Sequence, residues 1–380
     1  MTQRETIHSN APEGDLDRPR LIFSTDLIGK DLLATLRAPG VIETLVALGC
    51  GVALPLARLD DAAEAATRLL NQHGIPAVAS LRLSPDEGFA FNLQNYPRAL
   101  SSYQDFHTWA RRRGLHYEAV GLSIEPPLED VAEEQPRRAH ALARRFWLAR
   151  ENILYPSAYA AYSELIVAIH LDGYEVHTYQ MPVIADDRRA GTTLIQRALD
   201  IVDLSADLDV LMCSSVVPIE LLGDDLGGAL VASYGGHADA IGVGSIDDAD
   251  PPNLESWDWE VADWRGPDRE GRSTLPWPAL RRDLLLAARY SDTIYIHSLE
   301  DCVERGLLPK IATLNWEAPA RARPGRRALI GLLRLLLFGV LVAGRFGRTA
   351  LAWGGWALAI ALWLRGRRRR RLAIGDWKNR

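Results

Sequence analysis

The stretch Ala119-Val-Gly-Leu-Ser-Ile-Glu-Pro-Pro127 is a short apolar run that ends in one carboxylate, Glu125. Two prolines follow, and because proline lacks the backbone N–H that a sheet ladder needs, they end the strand. Side chains alternate along a strand, so Gly121 and Ser123 should share the side of Glu125 while Leu122 and Ile124 face an apolar layer. Small residues on one side and an acid at the C-terminal end are typical of the active face of a parallel α/β barrel.

Seven further apolar runs are separated by segments with helical spacing. They lie at 21–24, 51–56, 75–83, 174–181, 209–215, 238–246 and 293–298. This alternation predicts a parallel sheet, and eight units in about 300 residues fit a closed (β/α)8 TIM barrel. A doubly wound open sheet is the alternative, but no G-x-G-x-x-G follows the first strand.

Helices are expected between these strands. Leucine spacing predicts one at 31–48, broken at Pro39-Gly40, and an alanine-rich helix runs from Asp60-Asp61 to His73-Gly74. The remaining predicted helical segments lie at 103–113, 130–172, 186–202 (with loop), 219–234, 278–290 and 301–306. Two long loops are expected at 84–103 and 249–277, and the second is dense in tryptophan.

Charge is distributed unevenly along the 380 residues. Residues 1–319 carry 28 Lys and Arg against 48 Asp and Glu, whereas residues 320–380 carry 15 against 1. The acidic body is unsuited to nucleic-acid binding, because phosphate contact needs a basic face. No nucleic-acid partner is therefore expected.

The three cysteines, Cys50, Cys213 and Cys302, are scattered without C-x-x-C spacing. This pattern indicates neither a disulfide framework nor a zinc site, and no cofactor is expected. Residues 1–20 are polar and lack the apolar core of a secretory signal, so the body is expected to stay in the cytoplasm.

Two apolar runs near the C-terminus, 328–344 and 349–364, are each slightly shorter than the ~20 residues of a straight spanning helix. Arginines flank the pair on both outer sides, which predicts a membrane-associated hairpin with cytoplasmic ends. The basic flanks favour anionic headgroups, so membrane lipid is an expected partner through 328–371. Arg345 and Arg348 in the turn leave an in-plane amphipathic arrangement open, and a buried helical pair is the other alternative.

The chain is thus divided into three regions: a disordered lead at 1–19, a barrel domain at 20–319 and the hairpin region at 320–380. Barrel enzymes carry their reacting groups at the C-terminal strand ends. The polar residues expected there are Asp26, Arg82, Glu125, Tyr179, Gln180, Ser214, Ser215, Asp247, His297 and Glu300.

Glu125 is expected to be the general acid of glycosidic-bond hydrolysis, because a carboxyl group among apolar strands holds its proton more readily. The competing interpretation is a structural ion pair with Arg82 of the neighbouring strand. Asp247 is expected as the second carboxylate, although Asp247-Asp248-Ala-Asp250 also fits a solvated acidic loop.

Carbohydrate is the expected ligand. Substrate-binding roles are predicted for Arg82, Asn92, Tyr179, Gln180, Ser214, His297 and Trp257. Tryptophans can stack on sugar faces, and packing over the barrel mouth would explain them equally well. In a regular strand His297 and Glu300 face opposite sides, so they would not both enter the pocket, and His297 could also be a packed ring.

Three short motifs resemble a glycoside-hydrolase barrel, nearest to the chitinase-like family: Gly121-Leu-Ser-Ile-Glu125, Leu211-Met-Cys-Ser-Ser215 and Ile294-Tyr-Ile-His-Ser-Leu-Glu300. In that family strand four ends in Asp-x-Glu with the Glu as acid, and strand six in Met-x-Tyr-Asp. Glu125 matches the acid and Met212 the strand-six methionine. Ser123 stands where the assisting Asp belongs, and His297 stands where strand eight carries Trp.

The resemblance implies a sugar-handling (β/α)8 barrel. The leading hypothesis is a membrane-anchored glycoside hydrolase, and its rival is a barrel without catalysis that binds a glycan or a protein at the membrane. A weaker third possibility, a sugar isomerase or lyase, would need a metal site.

Overall fold

The computed structural model describes residues 18–84, 87–127, 146, 148–213, 226–244 and 275–346. Eight parallel strands close into a barrel in chain order, β1 to β8, which confirms the predicted TIM-barrel class. The strands are β1 Arg20–Ser24, β2 Gly51–Leu56, β3 Ala77–Leu81, β4 Ala119–Ser123, β5 Glu175–Gln180, β6 Leu208–Met212, β7 Ala240–Gly244 and β8 Thr293–His297.

Helices follow the strands in the described ranges. They are α1 Gly29–Leu36, α2 Val41–Leu48, α3 Asp61–Gln72, α4 Tyr96–Arg113, α5 Leu154–Leu171, α6 Ile184–Ala190, α7 Leu194–Ala198, α8 Gly227–Tyr234, α9 Trp277–Ala287, α10 Leu299–Glu304, α11 Leu308–Ala312 and α12 Pro324–Phe346. Short 3-10 turns occupy Ala149–Glu151 and Gly235–His237. The expected break between α1 and α2 is present, and the Asp60 side chain accepts from two backbone N–H groups to start α3.

The barrel separates two apolar layers. Outward side chains such as Val120, Leu122 and Ile124 pack with the helices in the main core. The interior is filled by a smaller cluster composed of Ile22, Ala53, Val78, Ala119, Tyr179, Val210, Ala240 and Tyr295. The two-residue period of β4 therefore places its side chains as the sequence indicates, with Gly121 and Ser123 on the inner side.

Helix α4 begins at Tyr96, seven residues before the predicted start, so the loop expected at 84–103 is shorter. Pro97 lies in its first turn, where a missing N–H costs nothing, and proline at this position is a sequence signal for the earlier start. Helix α10 likewise begins at Leu299 rather than 301, because the Ser298 side chain caps it. The short helix α11 was not predicted.

The first C-terminal apolar run forms α12, which is longer than predicted. Among the described residues it alone is long and apolar enough to cross a membrane, judged by length and composition only. The second run, 349–364, lies outside the described residues, so the predicted hairpin is not confirmed.

Gly121 is expected to tolerate no side chain, because a Cβ there would lie 2.7 Å from the Tyr179 hydroxyl inside the barrel. Gly121→Ala should lower the free energy of unfolding by about 1–3 kcal/mol through overpacking. Urea denaturation measures the change. Gly236→Ala is the matched control, since a Cβ at Gly236 meets no atom within 4 Å. Equal stability of both variants would contradict the tight interior packing.

Candidate functional site at the barrel mouth

Glu125 is held at the mouth by the backbone just beyond β4. Its N–H donates to the Phe91 carbonyl at 3.0 Å, and Ile124 forms a parallel bridge with Phe91. The Glu125 side chain is 46% exposed, so it is neither desolvated nor enclosed as the acid hypothesis assumed. The loop after β3 therefore fixes the direction of Glu125 while leaving its carboxylate open to a ligand.

Two donors converge on one oxygen of Glu125. The Arg82 guanidinium donates through Nη1 to Oε1 at 3.1 Å, and the Ser123 hydroxyl donates to the same atom. Arg82 is itself fixed, with its Cζ 5.1 Å above the centre of the Phe89 ring. Glu125 is thus presented as a hydrogen-bond acceptor, and the ion pair that the sequence left as an alternative is present.

A second polar cluster joins the ends of β1 and β8. His297 Nε2 lies 3.1 Å from Asp26 Oδ2, and its Nδ1 lies 3.1 Å from the Ser24 hydroxyl. The Asp26 backbone N–H donates to Glu300 Oε1 at 3.2 Å. His297 is nearly buried, whereas 40% of the Asp26 side chain is exposed, so Asp26 is the member that a ligand can reach.

This cluster corrects the expectation for strand eight. Regular alternation past His297 would send Glu300 away from the pocket, but β8 ends at His297 and α10 begins at Leu299. The chain turns there, and Glu300 comes back beside Asp26. His297 is therefore not merely a packed ring, because both of its nitrogens have polar neighbours.

Electrostatics keep His297 charged at neutral pH. Burial lowers its pKa, but the carboxylates of Asp26 and Glu300 outweigh burial and raise the pKa from 6.5 to about 9. The positive charge of Arg82 acts in the opposite direction and lowers the pKa of His297. Burial, together with the charge of Asp26, raises the pKa of Glu300.

Gly244, at the end of β7, gives His297 its position. Gly244 has φ +125°, a backbone conformation that only glycine adopts readily, and a Cβ there would lie on the His297 carbonyl oxygen. The close approach of the two strand ends at this point therefore depends on glycine.

Tyr179 lies just below the mouth rather than in it. Its ring packs edge-on against Tyr295 at 5.3 Å, and the Tyr295 hydroxyl lies 2.5 Å from His177 Nδ1. Burial raises the pKa of Tyr179 to about 12, so the phenol stays protonated. These three residues form the floor of the site.

Two predicted binding residues are used elsewhere. The Asn92 side chain accepts from the N–H groups of Gln94 and Asn95, and it builds the turn before α4 instead of facing a ligand. Gln180 follows the inward Tyr179, so it points outward, and it donates to Thr178 at 3.4 Å. Neither side chain joins Arg82 and His297 at the mouth.

Three predicted site residues, Ser214, Asp247 and Trp257, lie outside the described residues, and their assignments stay predictions. Within the described ranges no group of three His, Cys, Asp or Glu side chains could hold a metal ion. A cleft beside the mouth, between β3 and α4, is bordered by Arg82, Ser84, Arg98 and Asp105 and extends the polar surface.

Comparison with known proteins gives structural likenesses, including the following two. The glycoside hydrolase domain of PgaB (BpsB) from Bordetella bronchiseptica is 11% identical, with 78% of this chain and 98% of that chain covered and a TM-score of 0.42. A D-allulose 3-epimerase from Methylomonas sp., in complex with D-allulose, is 10% identical, with 74% and 84% covered and a TM-score of 0.37. Likenesses this distant carry no argument about the site.

No family model matches the chain, and no curated protein matches it either.

The His297–Asp26 pair predicts a pH-dependent stability. A folded-state pKa of about 9, above the ordinary 6.5, means that the stabilisation is complete below pH 6.5 and is lost as pH rises through about 9. His297→Gln should therefore cost about 3 kcal/mol near pH 6 and much less near pH 10. Chemical denaturation at both pH values measures this, with the exposed His73→Gln as control. A cost independent of pH would contradict the ion pair.

Proposed function

We propose that the barrel mouth binds a carbohydrate and hydrolyses a glycosidic bond, with Glu125 as a reacting carboxylate. The observation that carries this proposal is the arrangement of two half-exposed carboxylates, Asp26 and Glu125, at the ends of β1 and β4, which are not neighbours in the barrel. Hydrolysis of glycosides uses a pair of carboxyl groups on either side of the scissile bond. We infer that Glu125 and a second carboxyl group at the mouth act as such a pair.

The contacts of Glu125 favour one of the two possible roles. Arg82 and Ser123 both donate to Oε1, so Glu125 serves there as an acceptor. An acceptor carboxylate can take a proton from water or attack the anomeric carbon, whereas a general acid must first carry a proton. We therefore assign Glu125 the role of base or nucleophile, in place of the acid expected from the sequence.

Protonation of the leaving oxygen is assigned to the sequence candidate Asp247, and Asp26 acts electrostatically rather than as the proton donor. Charged His297 beside Asp26 fixes the orientation of its carboxylate, and Glu300 anchors its backbone. A fixed negative charge near a sugar ring stabilises the positive charge of an oxocarbenium-like transition state. Arg82 and Ser123 can in addition bind sugar hydroxyl groups.

Membrane attachment through the C-terminal region belongs to the same proposal. The apolar α12 and the excess of arginine over acid in 320–380 support it. Anionic lipids are abundant on the cytoplasmic leaflet, so we place the barrel on that side. The natural substrate would then be a glycan reachable at a membrane surface.

Hydrolysis by the purified full-length protein should be detected in a screen of oligosaccharides for released reducing ends. Glu125→Gln keeps the shape of the side chain but removes its basicity, and it should lower kcat/KM by about 10²–10⁴-fold. Glu118→Gln is the matched control, since Glu118 pairs with Arg20 at the opposite end of the barrel and should leave activity within about twofold.

The assigned role of Glu125 has its own test. In Glu125→Ala, added azide or formate can occupy the vacated space and act as nucleophile or base, so activity should return. An Glu125→Gln variant with full activity on every glycan that the wild type cleaves would contradict the proposal.

A binding protein without catalysis is the second candidate, and one observation favours it. Both half-exposed carboxylates of the described mouth are paired with cations, and Glu300, whose pKa is raised, is buried. No exposed proton donor of the usual carboxylic type is thus found among the described residues of the mouth.

Under this second candidate the wild type should bind a glycan without cleaving it. Arg82→Gln should abolish the binding, and Arg82→Lys should weaken it, because lysine keeps the charge but loses the planar fork of donors. A glycan array followed by calorimetry measures both. Cleavage of the bound glycan by the wild type would exclude this candidate.

A further inference from the structure

Arg334 lies in the middle of the apolar helix α12 and is neutralised by the barrel body. Its Nε donates to Asp186 Oδ1 at 2.9 Å, and its Nη1 donates to the Ser233 carbonyl. The guanidinium lies 4.0 Å above the Tyr234 ring, and the Tyr234 hydroxyl donates to Asp186 at 2.7 Å. Asp186 is fully buried, so this contact is an internal ion pair and not a surface bridge.

The same face of α12 touches the body along most of the helix. Ile330 belongs to the main core, and Leu341 is buried in a cluster with Ala190, Leu194 and Ile195. Near the C-terminal end, Arg345 donates to the Ala190 carbonyl at 2.9 Å. From 330 to 345 the contact extends for about 22 Å along the helix axis.

A contact of this length conflicts with a spanning helix. The hydrocarbon core of a bilayer is about 30 Å thick, so a spanning α12 would carry α6 and α8, with their buried acid Asp186, into the lipid. The polar surface of the barrel would lose its hydration there, which costs a large amount of free energy. Helix α12 can span the bilayer only if it separates from the barrel and the Arg334–Asp186 ion pair breaks.

The opposite face of α12, which we name the outer face, is apolar and exposed. It consists of Leu332, Leu335, Leu336 and Val340, each more than half exposed. Four arginines, Arg321, Arg323, Arg326 and Arg327, lie at the N-terminal end of the helix, and no acidic residue occurs between 318 and 346. An apolar face beside a cluster of positive charge is complementary to an anionic bilayer surface.

We infer that α12 lies in the plane of the membrane, with its outer face in the boundary between anionic headgroups and acyl chains and its inner face fixed to the barrel by the Arg334–Asp186 pair. This inference rests on the membrane attachment proposed above and adds its geometry. The barrel is then held directly on the surface, with a fixed orientation, instead of on a flexible tether.

Single-cysteine labelling tests the geometry in the full-length protein. The native Cys50, Cys213 and Cys302 are all buried, so an introduced cysteine can be labelled selectively. An environment-sensitive fluorophore is attached in turn at Leu332→Cys, Leu336→Cys and Val340→Cys. The first and last of these sites are about 12 Å apart along the helix axis. Val46→Cys, exposed on α2, is the control.

The labelled proteins are mixed with vesicles of phosphatidylcholine and phosphatidylglycerol that carry nitroxide quenchers at known depths. The in-plane helix predicts equal, shallow depths of about 5–10 Å for the three sites and no quenching at Val46. Binding should weaken in vesicles of phosphatidylcholine alone and at high salt.

Three other outcomes would overturn the inference, and they differ in what else they exclude. Depths that differ by about 12 Å along the helix indicate a spanning α12 and leave membrane attachment intact. Vesicle binding without quenching at the three sites indicates that the outer face is covered, by residues 349–364 or by a second copy of the chain. No vesicle binding at all excludes the membrane attachment as well.

Discussion

Closure of the eight-stranded parallel ladder is the constraint on which the rest of this structure depends. Closing the barrel gives each strand an inner side with very little room and an outer side covered by helices. Large and small residues therefore alternate on the inner side: Gly121 leaves room for the Tyr179 ring, and the Tyr295 hydroxyl lies beside His177. The two-residue period then directs the carboxylate just beyond β4 toward the mouth. The position of Glu125 follows from this alternation.

The carboxylates at the barrel mouth are neutralised by cations of the barrel itself. Two carboxylates that a ligand can reach are each held by a cation from a different part of the barrel, Arg82 from the loop after β3 and His297 from the end of β8. Such pairing fixes the direction of each carboxylate before a ligand arrives, which is what electrostatic preorganisation requires. The same contacts present Glu125 as a hydrogen-bond acceptor, because Arg82 and Ser123 both donate to its Oε1.

The strands could be predicted because their signals are local, and β2 was placed at its observed bounds, 51–56. Side-chain positions could not be predicted where they depend on a turn or on a contact between residues that are distant in the chain. Because side chains alternate along β5, Tyr179 faces inward and Gln180 faces outward, so the two predicted binding residues do not share a face. The Asn92 side chain accepts a hydrogen bond within its own turn. Glu300 lies beside Asp26 because β8 ends at His297 and the chain turns there. Arg334 and Asp186 are 148 residues apart, and no sequence pattern relates them.

The most direct test of the proposed chemistry is a crystal structure of the protein with the oligosaccharide that binds it best. The account predicts a sugar ring at the mouth, with a Glu125 carboxylate oxygen about 3–3.5 Å from the anomeric carbon or from a water molecule aligned with it. It also predicts the Asp26 carboxylate across the same sugar. A sugar bound away from the ends of β1 and β4, or one whose anomeric carbon lies beyond the reach of Glu125, would contradict the account.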